Sequence, residues 1–437
     1  MSEPRPWRRA AAWLAFLGPF FFASYGFANW LASHRVGVGA IVFEWERAIP
    51  FLAWTIVPYW SIDLLYAASL FVCTSRRELD VHAARLLAAQ IISVACFVLF
   101  PLRFTFARPE TAGVFGWMFD VLMGFDKPFN QAPSLHIALL VILWLLYARH
   151  AGAAWRWLAH GWFALIGVSV LTTYQHHFID IPTGVLVGWL CVWLLPDAGR
   201  SPVAGWRFTA DRRRRRLAGR YAAGAVLAAA LALVLGGWAL WLLWVSVSLA
   251  VVAAIYAFLD ESAFQKAADG SMSSAARWLL APYLGGAWLN SRWWTRSSAA
   301  ACTVVPGLLI GRLPTRAERD AHGIRSVVDV SAELPCAAAG VRYISVPQLD
   351  LTTPSPAQLE RAVDAIDAAM RNGPVLVCCA LGFSRSAAAV AAWLIATQRA
   401  LGVDDAVAQV RRARPAAVLG PELVEVLGRY ASSSRSA

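Results

Sequence analysis

Long apolar runs constrain the fold of this chain more than any other feature. Of its 437 residues 59% are hydrophobic and 15% are charged, whereas soluble domains are about 45–50% apolar by a similar count. Eight runs approach the roughly 20 residues that a helix needs to cross a bilayer. They lie at 10–31, 50–73, 84–102, 137–149, 158–173 and 181–196, with two more between 221 and 259 divided at Gly236-Gly237. The sequence therefore predicts a multi-pass α-helical membrane domain.

The first apolar run follows Arg5, Arg8 and Arg9, which is also the arrangement of a signal peptide. No clear cleavage site of small residues follows it, and further apolar runs come after it. We therefore interpret this run as a membrane anchor.

Basic residues set the predicted orientation, because cytoplasmic loops carry an excess of Lys and Arg. With the N-terminus inside, the inner loops hold most of the arginines: Arg76, Arg77, Arg85, Arg149, Arg156, Arg207, Arg212 to Arg216 and Arg220. Eight spans then return the C-terminal part to the cytoplasm. The net charge of +12 favours an anionic lipid surface as the partner. We find no base-reading motif and predict no nucleic-acid binding.

A nine-residue stretch near the C-terminus, 378–386, carries the clearest chemistry. An apolar run ending at Val377 predicts a strand, and the Ala-rich run from Ala387 predicts a helix. A strand, a tight loop with Gly382 and a helix direct backbone N–H groups at an anion. Such donors favour the thiolate of Cys379, and Arg385 can hold a phosphate through paired hydrogen bonds. The stretch therefore predicts a site that attacks phosphorus.

The spacing of Cys and Arg alone is weak support, since Cys336 and Arg342 have the same separation without strand, loop or helix signals. We interpret this second pair as a coincidence. The seven cysteines are scattered and do not indicate a disulfide framework. A reactive thiolate indicates a reducing compartment, which agrees with the cytoplasmic placement.

The whole pattern of Cys, Gly and Ser-Arg-Ser resembles the phosphate-binding loop of dual-specificity phosphatases, within the cysteine-based tyrosine phosphatases. The resemblance implies Cys379 as nucleophile, Asp350 as general acid and Ser386 as the hydroxyl that helps to expel the thiolate. Gly382 and Ser384 would contribute to phosphate binding. Cys378 stands where that family usually has His. Alternating apolar runs and helical stretches over 304–430 predict a soluble α/β domain.

Polar residues gather in the predicted outer loops, where ionisable groups are costly unless they are used. They include Arg103, Arg108, Ser134 and His136, and a last segment with His176, His177 and Asp180. His176 and Asp180 are four residues apart, so on one helical face the carboxylate can orient the imidazole. These are the groups needed for phosphoryl transfer through a phosphohistidine.

The three outer segments resemble the type 2 phosphatidic acid phosphatase superfamily. The resemblance implies His176 as nucleophile, Asp180 as its partner and His136 as the acid for the leaving oxygen. The phosphate would be held by Arg108, Ser134 and the amides of Leu135 and His136, and Arg103 or Lys127 would supply the charge that is missing from the family pattern. Two positions differ from the family, Pro101 in place of Lys and Val170 in place of Arg. His177 we expect to be structural.

Four segments follow from these patterns: a membrane phosphatase domain at 1–200, an Arg-rich loop with two further spans at 201–260, an interfacial or plain linker at 261–302, and a cytoplasmic phosphatase domain at 303–437. The chain resembles bacterial fusions of the two families. This implies an inner-membrane protein acting on phospholipid or isoprenoid phosphates outside, and on a phosphoprotein or lipid headgroup inside. Neither mechanism requires a metal or another cofactor.

Three alternatives remain open for the membrane half. An alcohol in place of water would make it a phosphotransferase, similar to inositol-phosphoryl transferases. The departures at Pro101 and Val170 allow a lipid-phosphate sensor without turnover. In the third alternative, only the cytoplasmic domain is active and the membrane half is its anchor.

Overall fold

The computed structural model describes residues 4–336 and 338–434. Within it the chain divides into two compact units, Met1–Ser201 and Pro202–Ala437. Each unit is described by itself below.

From residue 4 onward, the regular structure of the first unit is helical apart from isolated bridges. The α-helices described there are α1 (Trp7–Ser33), α2 (Ile56–Val72), α3 (Arg76–Leu99), α4 (Gly113–Phe125), α5 (Leu135–His150), α6 (Ala153–Thr172) and α7 (Asp180–Leu194). Helices α5 and α7 pack closely, because a Cβ atom at Gly184 of α7 would lie 2.5 Å from the Ser134 carbonyl oxygen. This close approach brings the start of α5 to the start of α7.

Within the described residues, five helical segments are long and apolar enough to cross a membrane by length and composition. They are Trp7–Ser33, Ala53–Val72, Arg76–Leu99, Arg212–Leu235 and Gly237–Phe258. The runs predicted at 137–149, 158–173 and 181–196 form α5, α6 and α7, which are not among the five. Helices α5 and α7 have only 16 and 15 residues, fewer than the roughly 20 that span a bilayer. The eight predicted spans therefore correspond to five such segments and three other helices.

The second unit begins with four helices and continues into an α/β domain. The helices are α8 (Arg212–Leu235), α9 (Leu242–Phe258), α10 (Ser274–Leu279), α11 (Ala281–Trp294), α12 (Arg316–Ala321), α13 (Pro356–Met370), α14 (Arg385–Ala396), α15 (Val403–Ala413) and α16 (Pro421–Ser434). The strands are β1 (Ala301–Val305), β2 (Leu308–Arg312), β3 (Ser326–Ser331), β4 (Arg342–Gln348) and β5 (Val375–Cys379). Residues 261–302 thus contain two α-helices and a short 3-10 helix, where the sequence left open a plain linker.

The sheet has the order β1-β2-β5-β3-β4, so β5 lies at its centre. Strand β5 is parallel to β2 and β3 and is buried along its whole length, as expected for an apolar run covered on both faces. Only β1 is antiparallel to its neighbour. The carboxyl end of the central strand, where α/β proteins usually place their ligands, is Cys379.

Candidate active site

The loop between β5 and α14 surrounds the thiol of Cys379. The strand, loop and helix lie where the sequence predicts them, with β5 ending at Cys379 and α14 beginning at Arg385. The Gly382 backbone N–H donates to Cys379 Sγ over 3.2 Å, and Ser386 Oγ lies 3.5 Å from the same sulfur. The sulfur thus lies at the start of α14, within reach of a backbone donor and a hydroxyl.

The loop's carbonyl groups are held by two side chains that the sequence did not indicate. Arg414, buried to 1% exposure, donates through Nε to the Gly382 oxygen (2.7 Å) and through Nη2 to the Leu381 oxygen (3.2 Å). Ser291 of α11 donates from Oγ to the Ala380 oxygen over 2.5 Å. With three consecutive carbonyls accepting bonds from these partners, the loop is kept in a curled conformation.

Arg385 is held by two carboxylates. Its guanidinium makes a paired contact with Glu333, at 2.7 Å from Nη1 and 2.6 Å from Nη2. Nη2 also lies 2.9 Å from Asp350 Oδ1, and Nη1 donates to the Gln348 oxygen over 2.9 Å. Burial alone would raise the pKa of Glu333, but the adjacent Arg385 charge lowers it below its usual range. The arginine is therefore oriented at the loop before any phosphate binds.

Asp350 follows β4 and reaches the same arginine. Removal of water raises the pKa of this carboxyl above its usual value, with the charge of Glu333 adding to the effect and that of Arg385 opposing it. The next residue, Leu351, has a φ of +56°, a conformation that side-chain-bearing residues rarely adopt. Tyr256 of α9 donates to the Asp350 carbonyl oxygen over 3.0 Å, so the turn that carries the carboxyl is fixed at its backbone.

The remaining predicted residues of this loop have separate positions. Ser384 directly precedes α14, and its side chain makes no capping hydrogen bond. Ser386, in the first turn of α14, is fully buried beside Cys379. The structure therefore brings together Cys379, Gly382, Arg385, Ser386 and Asp350.

Cys378 points to the other face of the sheet from Cys379. The two neighbours belong to different hydrophobic clusters, and Cys378 shares its cluster with Cys336. Burial raises the pKa of the Cys378 thiol well above its usual value, which keeps it protonated. All seven cysteines are free.

In the first unit, His176 contacts its predicted partner Asp180 and also Ser134, which was predicted to hold the phosphate. His176 Nδ1 lies 3.0 Å from Asp180 Oδ2, and Nε2 lies 3.2 Å from Ser134 Oγ. The predicted reason for the first contact is wrong, since His176 lies in the turn before α7 and only Asp180 is helical. The turn brings the imidazole back over the start of the helix, and the same carboxylate accepts the His177 N–H over 3.1 Å.

The other predicted site residues of the first unit have different surroundings from one another. Leu135 and His136 form the first turn of α5, and the His136 ring stacks on Tyr59 with centroids 4.3 Å apart. Arg108 donates to the carbonyl oxygens of Thr173 and Tyr174, at 3.2 and 3.3 Å. Arg103 is exposed.

Glu46 is a buried partner in this unit that the sequence did not indicate. Its Oε2 atom accepts from the Phe178 N–H over 3.0 Å and lies 2.9 Å from His177 Nδ1. His177 thus has a buried structural partner, in keeping with the role expected from the sequence. No cluster of three or more metal-binding side chains occurs among residues 4–336 and 338–434.

Comparison with known proteins gives the family of the domain that contains Cys379. Residues 312–433 match the family described as dual specificity phosphatase, catalytic domain. Among solved structures, Tk-PTP in its active form is 30% identical over 31% of this chain and 98% of its own, and human DUSP28 is 30% identical over 31% and 95%, each with a TM-score of 0.29. PTPMT1 in complex with PI(5)P is 23% identical over 32% and 99%, with a TM-score of 0.29.

The matched range begins at the last residue of β2 and ends within α16. It includes Glu333, Asp350, the Cys379 loop and Arg414. Residues 312–433 are a dual-specificity phosphatase catalytic domain, and the chain that carries them is a phosphatase that hydrolyses phosphomonoesters.

Proposed function

We propose that this chain is an integral membrane phosphatase with two sites, and that the Cys379 site hydrolyses phosphomonoesters on the cytoplasmic face through a phosphocysteine. The observation that carries the proposal is Cys379 Sγ beneath the Gly382 N–H, at the start of a helix whose first residue is Arg385. The thiolate attacks phosphorus, and a P–S bond forms as the bond to the leaving oxygen breaks. Arg385 and the loop amides hold the phosphate oxygens.

Asp350 supplies the proton that the leaving oxygen takes up, and then accepts a proton from the water that attacks the phosphocysteine. The raised pKa of Asp350 keeps more of this carboxyl protonated near neutral pH than an ordinary Asp. Ser386 Oγ, 3.5 Å from Sγ, donates to the thiolate as it is expelled. Cys379, Arg385, Asp350 and Ser386 therefore each have a separate role in the proposed reaction.

Asp350→Asn tests this assignment through leaving-group and pH dependence. Loss of a general acid lowers kcat by about 10²–10⁴-fold, and the loss is larger for phenyl phosphate than for an aryl phosphate with an acidic phenol. A carboxyl with a raised pKa is an acid until the pH rises through that pKa, so wild-type kcat falls on the alkaline side. We expect this alkaline decline to be absent in Asp350→Asn.

The matched control is Asp364→Asn, on the exposed side of α13. It removes the same charge without reaching Arg385, so its pH profile keeps the wild-type form. An unchanged alkaline decline in Asp350→Asn assigns the general acid to another group.

A second activity, in the first unit, is favoured by the buried pair of His176 and Asp180, 3.0 Å apart. We propose that His176 Nε2 attacks a lipid or isoprenoid phosphate, with Asp180 stabilising the charged imidazole. A P–N bond forms as the bond to the leaving oxygen breaks, and His136, in the first turn of α5, protonates that oxygen. Water then hydrolyses the phosphohistidine, while Ser134 and Arg108 hold the phosphate. This site lies on the outer face of a bacterial inner membrane in our proposal, with the N-terminus and the Cys379 domain in the cytoplasm.

His176→Ala is expected to abolish phosphate release from a short-chain phosphatidic acid and to leave aryl phosphate hydrolysis by the Cys379 site unchanged. The reason is that the imidazole is the only proposed nucleophile of the first unit. His34→Ala is the control, since His34 lies just after α1 and is exposed. Phosphate release is measured in intact and in permeabilised cells.

The two cell preparations also test the sidedness. We expect the phosphatidic acid to be hydrolysed by intact cells, whereas an impermeant aryl phosphate requires permeabilisation. Release that does not change in His176→Ala leaves the first unit as an anchor or a sensor. Phosphate transfer to an added alcohol such as inositol, with little release to water, identifies it as a phosphotransferase.

A further inference from the structure

A cavity of about 280 Å³ lies beside the Cys379 loop within the second unit. One side is formed by the phosphatase residues Glu333, Asp350 and Ala380, and the other by residues of the preceding helices, among them Val245, Leu249 and Tyr283. This volume is just below the usual range of small-molecule sites, about 300–1,000 Å³. The cavity thus joins the groups that hold Arg385 to an apolar wall outside the residues matched by the phosphatase family.

The apolar wall is attached to the catalytic residues by specific hydrogen bonds. Tyr256 of α9 donates to the Asp350 carbonyl oxygen, and Ser291 of α11 donates to the Ala380 oxygen. The Tyr283 N–H at the start of α11 donates to Ser248 Oγ of α9 over 3.3 Å. Helices α9 and α11 therefore hold a defined position beside the loop, and the cavity is a built feature of the site.

The helix that supplies Val245 and Leu249 is part of an apolar hairpin. Helix α9 lies in Gly237–Phe258, and its partner α8 is Arg212–Leu235, both long and apolar enough to cross a membrane. Five large side chains on α8 are at least 60% exposed: Val226, Leu227, Leu233, Val234 and Leu235. An apolar surface of this kind in a single chain indicates contact with lipid or another apolar partner.

Aromatic and cationic side chains on α11 and just after it are of the kind found at a membrane surface. Arg292 lies over the ring of Trp288 and Arg296 over that of Trp293, at 5.7 and 4.0 Å from the ring centroids. Trp288 and Trp293 are 49% and 64% exposed. Trp and Arg side chains are favoured at the headgroup level of a bilayer, and Arg attracts anionic lipid.

We propose that the Cys379 site acts on a membrane phospholipid whose headgroup ends in a phosphomonoester, an inference that rests on the proposed function. The terminal phosphate lies on the Cys379 loop. The part of the lipid next to it fills the cavity, with its apolar portion against Val245 and Leu249. A lipid is favoured over a phosphopeptide because α9, which supplies Val245 and Leu249 to the cavity, lies in a segment long and apolar enough to cross a membrane.

The test is the full chain in mixed micelles, comparing Leu249→Trp with the control Leu227→Trp. Leu249→Trp adds bulk inside the cavity, whereas Leu227→Trp adds the same bulk on the exposed face of α8. The substrates are a diacylglycerol lipid with a terminal phosphomonoester headgroup, a soluble aryl phosphate and a phosphotyrosine peptide. We expect Leu249→Trp to lower kcat/KM for the lipid by roughly tenfold or more and to leave aryl phosphate turnover unchanged.

Each other outcome supports or overturns the inference, or refutes the proposed function. If Leu249→Trp lowers turnover of all substrates, the smaller change Val245→Phe is measured. A loss of lipid turnover alone in Val245→Phe supports the inference. An equal loss for all substrates, or no loss, overturns it. Unchanged lipid turnover in Leu249→Trp overturns it. A peptide hydrolysed faster than the lipid, with the same sensitivity to Leu249→Trp, also overturns it. Aryl phosphate turnover that survives Cys379→Ser refutes the proposed function itself.

Discussion

Cys379→Ser is expected to lower hydrolysis of a soluble aryl phosphate by roughly 10⁴-fold or more, the scale of loss when an enzyme's nucleophile is removed. A serine hydroxyl has nearly the same shape, but it is a much weaker nucleophile than a cysteine sulfur. The Gly382 N–H and Ser386 Oγ that surround the sulfur still meet an oxygen acceptor. The loop therefore keeps its conformation while the nucleophile is lost.

The matched control is Cys336→Ser. Cys336 is also a buried free cysteine, and Arg342 follows it at the same distance along the chain as Arg385 follows Cys379. It packs in the cluster on the other face of the sheet, so its replacement affects stability more than activity. Phosphate release is measured for both variants in detergent without added metal. Equal activities in the two variants would show that Cys379 is not the nucleophile.

The elements around Cys379 could be predicted because their signals are local in the chain. Apolar residues before Cys379 and alanines after Arg385 are contiguous, and β5 and α14 lie where these runs predict them. Strand β1, at the antiparallel edge of the sheet, was missed, because five residues following a polar segment give a weak periodic signal. Helix α16 was also missed, although Pro421 at its first position is a common helix start.

The residues that hold the loop could not be predicted from their sequence neighbourhood. Glu333 contacts Arg385 across 52 positions, and Arg414 contacts Gly382 across 32. Nothing near either residue distinguishes it from the many other charged residues of the chain. Glu333 follows β3, which the sheet order places beside β5. Arg414 reaches the loop because it lies at the end of α15, which packs against α14.

The pair of His176 and Asp180 gives the opposite lesson, in which the contact was expected for the wrong reason. A separation of four residues predicts a contact on a helix, but His176 precedes α7. The contact forms because a turn folds back over the helix start, where Asp180 also accepts the His177 N–H. The same spacing is thus compatible with two backbone conformations, and only the structure distinguishes them.

Gly382→Ala is expected to destabilise the second unit and to remove the activity of the Cys379 site. Gly382 has a φ of +73°, and a Cβ atom there would lie 2.2 Å from the Gly311 carbonyl carbon, 2.3 Å from its oxygen and 2.6 Å from the Arg312 nitrogen. All three atoms belong to the backbone of β2, which cannot rotate aside as a side chain can. Overpacking and backbone strain each cost about 1–3 kcal/mol, so we expect a loss of roughly 3 kcal/mol in the free energy of unfolding.

The loss of activity follows from the same displacement. The Gly382 N–H is a donor to Cys379 Sγ, and its carbonyl oxygen accepts from Arg414, so a shift of this residue moves both the nucleophile's surroundings and the loop's support. A displacement of about 1 Å in a catalytic geometry costs roughly 10²-fold in rate. Gly402→Ala is the control, because Gly402 has an extended φ of 175° and no atom within 4 Å of an added Cβ. Thermal unfolding and aryl phosphate hydrolysis are compared for both variants. A Gly382→Ala protein as stable and active as Gly402→Ala would show that the loop does not need its close contact with β2.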